Sequence, residues 1–186
     1  MITKKDVTEM EEYVKQEDSM REELIIQSRL VLKDSKSAIY SIHRGELKEG
    51  KKLIDSAALV LKRMDVILKK YPHLKYSSDN AYEEYCEACL FYGFINGKLP
   101  NAKSLNVDPI IYLQSLSDFT GELARKAVID ATAKKGVEVK KIRDLIDEVY
   151  GIMIRFDLRN GELRKKADAI KWNLNKVEEL LHSLSR

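Results

Sequence analysis

The chain of 186 residues is long enough for one domain, which we predict to comprise residues 1–186. Hydrophobic residues make up 44% and charged residues 34%, and the 33 basic and 30 acidic side chains leave a net charge of +3, which excludes a protein coated with positive charge. With only 8 Gly and 3 Pro, the composition favours long helices over a turn-rich β fold.

Two long amphipathic helices are predicted at the start of the chain. The first covers about Val7–Arg44, where apolar pairs recur every seven residues and Gly45 provides a C-terminal stop. The second covers about Glu46–Lys70 and ends before Pro72. The opening residues contain no apolar stretch of a signal peptide, and no apolar run approaches the roughly 20 residues that span a bilayer. We therefore expect a cytoplasmic protein with no membrane partner.

Start and stop signals define two further helices in the middle of the chain. Residues 77–79 offer three candidate N-caps for a third helix that closes at Gly97. A fourth helix is predicted to begin at Asp108 and Pro109, because Asp caps a helix and Pro lacks the N–H that the first turn leaves unpaired. This helix is predicted to run to Gly136.

The last part of the chain is also predicted to be helical. A fifth helix covers about Val139–Phe156, and a last one begins near Gly161. Apolar residues at strict four-three spacing from Leu163 to Leu184 indicate a partner helix, within the chain or across a subunit boundary. The predicted fold class is all-α: an antiparallel bundle of about six to seven helices that oligomerises.

The only cysteines, Cys86 and Cys89, form a CxxC pattern on the third helix. A zinc site would need two more ligands, and the three His residues are scattered along the sequence. A redox motif of this kind would need a βαβ context, which the helical pattern does not offer. We therefore interpret both cysteines as small buried residues in a reducing compartment.

Acidic residues interrupt the apolar stripes of the third and fourth helices. On the third helix, Glu84 and Glu87 share a stripe with Phe91, and the Cβ atoms of residues at this spacing lie roughly 5–6 Å apart. On the fourth helix, Asp118 and Glu122 are four residues apart on a stripe flanked by isoleucines. A buried carboxylate that nothing compensates becomes neutral, forms an ion pair or binds a cation.

One interpretation of these acids is purely structural. Glu122 then pairs with Arg125 on the same helix, and Glu83 and Glu84 face water near Lys98. Clusters of charge on helices are usually solvated, so the spacing alone does not exclude this arrangement.

The second interpretation is a metal site. Glu84, Glu87 and Asp118 then converge from two neighbouring helices on one divalent ion. Ligands that are all oxygen atoms suit Mg²⁺ or Mn²⁺ and not zinc.

A basic stripe follows one face of the first helix, with His43 adjacent to it. Its five members are Arg29, Lys33, Lys36, Tyr40 and Arg44. Four positive charges with an aromatic ring among them can hold a phosphate backbone and stack a base, although an ordinary solvated lysine-rich face has the same pattern. The sequence contains no Gly-rich phosphate loop and no Ser-His-Asp order.

Four segments resemble the translin/Trax family, in collinear order from about residue 21 to the end of the chain. The family's first helix is similar to SRLVLKDSKSAIYSIHR, and its C-terminal helix is similar to LRKKADAIKWNLNKVEELLHSL. The Trax pattern Glu-Tyr-x-Glu-Ala resembles the segment YEEYCEACLFYGFI. A Trax segment with Asp, Thr-Gly-Glu-Leu and Arg in fixed order resembles YLQSLSDFTGELARKAV.

The resemblance implies a fold of about seven helices that assembles into a closed, octamer-like shell and binds single-stranded RNA or DNA. It also implies a metal-dependent endoribonuclease site in which Glu84, Glu87 and Asp118 match the family's carboxylates. Glu122 matches a glutamate of both branches and is expected to support the site. Because translin lacks an acid at the position of Asp118, the chain resembles the catalytic Trax branch, in a short form that assembles with itself.

These inferences lead to one main hypothesis and two alternatives. The main hypothesis is an endoribonuclease dependent on Mg²⁺ or Mn²⁺ that cleaves single-stranded RNA as a homo-oligomer, expected to be an octamer. The carboxylate motifs contain no His, which favours water activated by the metal over a His-driven attack by a 2′-hydroxyl. The first alternative is a translin-like protein that binds single-stranded RNA or DNA without cleaving it. The second is a helical interaction scaffold with no nucleic-acid role.

Overall fold

The computed structural model describes residues 2–185 and contains no strand within them. Seven α-helices and one 3₁₀ helix, Pro72–Ser77, follow each other along the chain. The α-helices are α1 (Lys4–His43), α2 (Leu47–Lys70), α3 (Asp79–Ile95), α4 (Ala102–Leu105), α5 (Pro109–Thr132), α6 (Gly136–Met153) and α7 (Glu162–Leu184). The predicted all-α class is confirmed. Within the described residues, no helix has the length and apolar content that a bilayer crossing requires.

The first helix begins a few residues earlier than predicted because the sequence supplies a cap there. The Thr3 hydroxyl accepts a hydrogen bond from the backbone N–H of Asp6 at 3.2 Å, and the Asp6 carboxylate accepts one from the Thr3 N–H at 2.7 Å. At the other end, Gly45 has φ 81° and forms the predicted stop. Residues 4–16 are exposed, so that α1 extends beyond the rest of the bundle.

The turn between α5 and α6 comes earlier than predicted. The sequence predicted one helix up to Gly136 and the next from about Val139, whereas α5 ends at Thr132 and α6 begins at Gly136. Lys134 has φ 56° in this turn, a left-handed conformation that few residues with a Cβ adopt. No Gly or Pro marks that position, which is why the turn was missed.

The helices α3 and α5 run side by side in the same direction. Near their starts, the Ser115 hydroxyl donates a hydrogen bond to the carbonyl oxygen of Glu83 at 3.0 Å, and near their ends both helices line one cavity. The connection 96–108, which contains α4, returns the chain along α3. Gly93 permits this close return, since a Cβ at its position would lie 2.6 Å from the carbonyl oxygen of Lys98. A short loop would instead have made the two helices antiparallel.

The apolar stripe of α7 packs inside the chain, against α5 and α6. Its buried members are Ala167, Ile170, Leu174 and Val177. The spacing of this stripe left open whether its partner helix lies within the chain or in another subunit. The partners are α5 and α6 of the same chain. Cys86 and Cys89 are buried free thiols, as predicted, and burial raises the pKa of both to about 12.

The two faces of α7 give a matched test of this packing. Ile170 is fully buried, whereas the Trp172 side chain is on the opposite face and 77% exposed. We expect Ile170→Ala to lower the free energy of unfolding by about 2–5 kcal/mol, because it removes apolar contacts and leaves a cavity. Trp172→Ala should change it by about 0.5 kcal/mol or less. Urea denaturation followed by circular dichroism measures both, and equal losses for the two variants would contradict this placement of α7.

Candidate functional site

Four carboxylates from two helices gather beside a cleft on the surface of the bundle. Glu84 and Glu87 belong to α3, and Asp118 and Glu122 belong to α5; together they are called the acid cluster below. Glu84, Glu87 and Glu122 line the cleft, which has a volume of about 430 Å³. The parallel course of α3 and α5 brings the two acidic stripes to the same level.

Glu87 occupies the electrostatically least favourable position of the acid cluster. Burial, and then the negative charges of Glu84, Asp118 and Glu122, raise the pKa of Glu87 to about 8, and Lys166 opposes this effect. Within the described residues Glu87 has no ion-pair partner. A carboxylate in such a place is stabilised either by a proton or by a cation that approaches from the cleft.

Two lysines neutralise other members of the acid cluster. Lys36 of α1 lies 3.2 Å from a carboxylate oxygen of Glu84, and Lys166 of α7 donates a hydrogen bond to Asp118 at 2.7 Å. Lys166 also donates to Glu83, which is buried. Glu83 therefore does not face water, and neither Glu83 nor Glu84 pairs with Lys98, so this part of the structural interpretation is wrong; Glu84 stays partly exposed beside Lys36. Lys98 lines a different cavity.

Sequence reasoning missed a histidine that reaches the acid cluster. The side chain of His43, the last residue of α1, is buried, and its Nε2 lies 2.5 Å from the Oε2 of Glu122, a residue 79 positions away in sequence. The His43 ring packs on Phe91 with the ring centroids 4.4 Å apart, and His43 is not among the residues that line the cleft. Arg125 also lies 3.7 Å from Glu122, which confirms the pairing predicted on α5. In the sequence, the only signal for this contact was the position of His43 at the end of the first helix, next to the basic stripe.

The acid cluster offers the oxygen ligands that Mg²⁺ and Mn²⁺ prefer. Nevertheless, within residues 2–185 no group of three His, Cys, Asp or Glu side chains stands at the spacing that holds a metal ion. Two of the three expected ligands, Glu84 and Asp118, are held by the lysines described above. The donor set fits a divalent cation, and its binding would require that Lys36 and Lys166 release these carboxylates.

The basic stripe of α1 is exposed along its length and leads into the cleft. All five members, Arg29, Lys33, Lys36, Tyr40 and Arg44, are exposed. Lys36 and Tyr40 also line the cleft beside the acid cluster. The Arg44 guanidinium lies over the Tyr40 ring, 5.7 Å from its centroid, and donates a hydrogen bond to Glu46 at 2.8 Å. A ligand that crosses the cleft would therefore meet positive charge and an exposed aromatic ring on α1.

The sequence is similar to proteins of the translin family. A model of the Translin family matches residues 19–185. The protein MJ0175 of Methanocaldococcus jannaschii is 27% identical over 171 residues, which are 89% of this chain and 76% of that protein. Translin of Gallus gallus is 31% identical over 83 residues, 45% of this chain, so that the match spans only 36% of the translin.

Solved structures share the whole fold. The crystal structure of apo-NeC3PO is similar with a TM-score of 0.92 and 26% identity, over 99% of this chain and 98% of that one. AfC3PO, whose structure is known alone and in complex with duplex RNA, is similar with a TM-score of 0.90 and 22% identity, over 96% of each chain.

The raised pKa of Glu87 predicts a specific pH dependence of stability. A Glu side chain ordinarily has a pKa of 4.5, whereas that of Glu87 is about 8 in the folded protein. Between these pH values the folded state holds a proton that the unfolded chain has released, so its stability falls as the pH rises. Glu87→Gln cannot ionise and should be more stable than the wild type above pH 8, by about 2–5 kcal/mol, with the gain vanishing toward pH 4.5.

Urea denaturation in the absence of metal at both ends of this pH range measures the effect. Glu11→Gln is the control, because Glu11 is exposed on α1. A gain in stability for Glu87→Gln that does not change with pH would show that the pKa of Glu87 is not raised in the folded protein.

Proposed function

The chain belongs to the translin family, and we propose that it is a Trax-like member that binds single-stranded RNA and cleaves it with the help of Mg²⁺ or Mn²⁺. The observation that carries this proposal is the acid cluster, in which Glu87 has no compensating charge, placed in a cleft beside the basic stripe of α1. An acidic cleft alone would repel RNA, and a basic face alone would only bind it. Their combination suits a reaction at a phosphate.

Glu84, Glu87 and Asp118 are the residues that would hold the metal ion. When bound, a divalent ion supplies positive charge for the phosphate oxygens and lowers the pKa of water. Occupation of this place would also remove the repulsion that raises the pKa of Glu87. The chemistry of the donor set therefore supports a resident cation.

The other residues around the cleft have separate tasks in this proposal. Lys36, released from Glu84, would bind a phosphate oxygen next to the reacting one. Tyr40, whose side chain is 55% exposed, would stack on a base. Arg29 and Lys33 would hold the backbone further along α1. His43 keeps Glu122 oriented toward the cleft and is a positioning residue, because its ring is buried and is not among the groups that line the cleft.

We also propose that the chain assembles with itself into a homo-octamer. The resemblance to the family suggests this, and the exposed apolar residues of the projecting part of α1 support a contact between copies. These residues are Val7, Met10 and Val14. They share one face of α1, and none of them belongs to the hydrophobic core of the described residues or to the partly buried residues packed against it.

A second candidate function is binding of single-stranded RNA or DNA without cleavage. It is favoured by Lys36 and Lys166, which already neutralise Glu84 and Asp118 without any metal ion. In this case the acids would be structural partners of the two lysines. Because the structure of AfC3PO is known in complex with duplex RNA, binding tests should also include duplex RNA.

Replacing two of the proposed ligands separates these functions. Glu84→Gln with Asp118→Asn should reduce cleavage of labelled single-stranded RNA by about 100-fold or more, because the metal ion loses its ligands. Binding of the RNA should be retained or tightened, because fewer carboxylates repel the phosphates. Glu11→Gln with Asp18→Asn, a matched pair on the exposed part of α1, should change neither property.

Gel assays with Mg²⁺ and with EDTA measure cleavage, and fluorescence anisotropy measures binding. Cleavage that persists in EDTA or in the double ligand variant would contradict the metal site. Binding by the wild type without any cleavage in Mg²⁺ or Mn²⁺ would favour the second candidate function.

A further inference from the structure

A second cavity, larger than the cleft, lies where the ends of α3 and α5 meet the start of α6. Its volume is about 600 Å³, and four lysines line it: Lys98, Lys126, Lys135 and Lys141. It is called the lysine cavity below. Part of its wall is apolar and comes from Phe94, Ile95, Leu99 and Ile142. No residue of the acid cluster lines it.

The charges in the lysine cavity do not balance. The four lysines face only two carboxylates, Asp130 and Glu138. Asp130 is buried and is bonded by Lys126 at 2.5 Å, with Lys135 further away at 3.9 Å. Glu138 is paired with Lys141 at 3.1 Å. Lys98 has no ion-pair partner within the described residues and is exposed, so the cavity holds an excess of positive charge at its open side.

The lysine cavity lies further along α3 and α5 than the acid cluster. On α5, Lys126 follows Glu122 by four residues, so that it lies on the same face about 6 Å further along the helix. On α3, Phe94 follows Glu87 by seven residues, about 10 Å further along. Because α3 and α5 are parallel, both helices lead from the acid cluster to the lysine cavity. The acids are thus flanked by the basic stripe of α1 on one side and by the lysine cavity on the other.

We propose that the lysine cavity binds a phosphate group of the same RNA strand, a few nucleotides from the bond that is cleaved. This inference rests on the proposed function and adds a second contact point for the substrate. Lys98 and Lys141 are suited to the phosphate, since lysine ammonium groups bind phosphate oxygens as point charges. Leu99, whose side chain is 40% exposed, and Phe94 provide an apolar surface for the adjoining base or ribose.

The test removes the two lysines that are not needed to hold Asp130. Lys98→Ala with Lys141→Ala should weaken binding of single-stranded RNA several-fold and reduce the slope of log K against log salt by about 1–2, because fewer phosphates are contacted. Lys62→Ala with Lys69→Ala removes the same charge from exposed positions of α2 that line neither the cleft nor the cavity, and should leave the slope unchanged. Arg29→Ala with Lys33→Ala, in the basic stripe, is the positive control.

A second measurement uses the unaltered protein. Bound single-stranded RNA should protect Lys98 and Lys141 from acetylation by an amine reagent, read by mass spectrometry, while Lys62 and Lys69 remain reactive. Equal slopes for the cavity variant and the α2 variant, or unprotected Lys98 and Lys141 while the wild type binds RNA, would overturn the inference and leave the proposed function intact. Equal reductions in both variants would point to net charge alone and would also overturn it. If the wild type binds no RNA, the proposed function and this inference both fail.

Discussion

Repulsion between carboxylates at the contact of α3 and α5 determines how the rest of the site is built. The two helices run parallel, so their acidic stripes meet at one level and partly outside water. Three other side chains reach this place: Lys36 and His43 from the C-terminal half of α1, and Lys166 from α7. Lys36 pairs with Glu84, Lys166 pairs with Asp118 and Glu83, and His43 contacts Glu122. None of them pairs with Glu87, and burial together with the neighbouring carboxylates raises the pKa of Glu87 to about 8. The carboxylates of the acid cluster therefore repel each other, and a bound divalent cation would reduce this repulsion.

This arrangement gives the C-terminal part of α1 two roles. Its C-terminal end supplies His43 and Lys36 to the acid cluster, and its exposed face carries the basic stripe toward solvent. In the proposed function, a strand held by that stripe is led directly to the acids, since Lys36 and Tyr40 belong to both. The lysine cavity would continue this path along α3 and α5. Binding and chemistry would then involve α1, α3 and α5 together with Lys98, from the connection after α3, and Lys141 of α6.

The spacing of apolar residues, with Gly, Pro and capping residues at the helix ends, predicted most of the helices. The same spacing predicted that the acids of α3 and of α5 each share one face of their helix. Gly45 and the Asp108–Pro109 pair ended or began helices where expected. The turn at Lys134 could not be predicted, because its left-handed backbone has no glycine to signal it. The partners of the acids could not be predicted either, since Lys166 and His43 reach them only through tertiary packing. One consequence is that Glu83, which had no assigned role, proved to be a buried partner of Lys166.

We propose that the acid cluster binds a divalent cation and is not only a set of structural ion pairs. The most direct measurement is a crystal structure of the protein soaked in Mn²⁺, with the anomalous signal of the metal recorded. We expect one strong anomalous peak within coordination distance of Glu84, Glu87 and Asp118, with Lys36 and Lys166 moved away from their carboxylates. Absence of a peak there, with both lysines still bonded to Glu84 and Asp118, would contradict it.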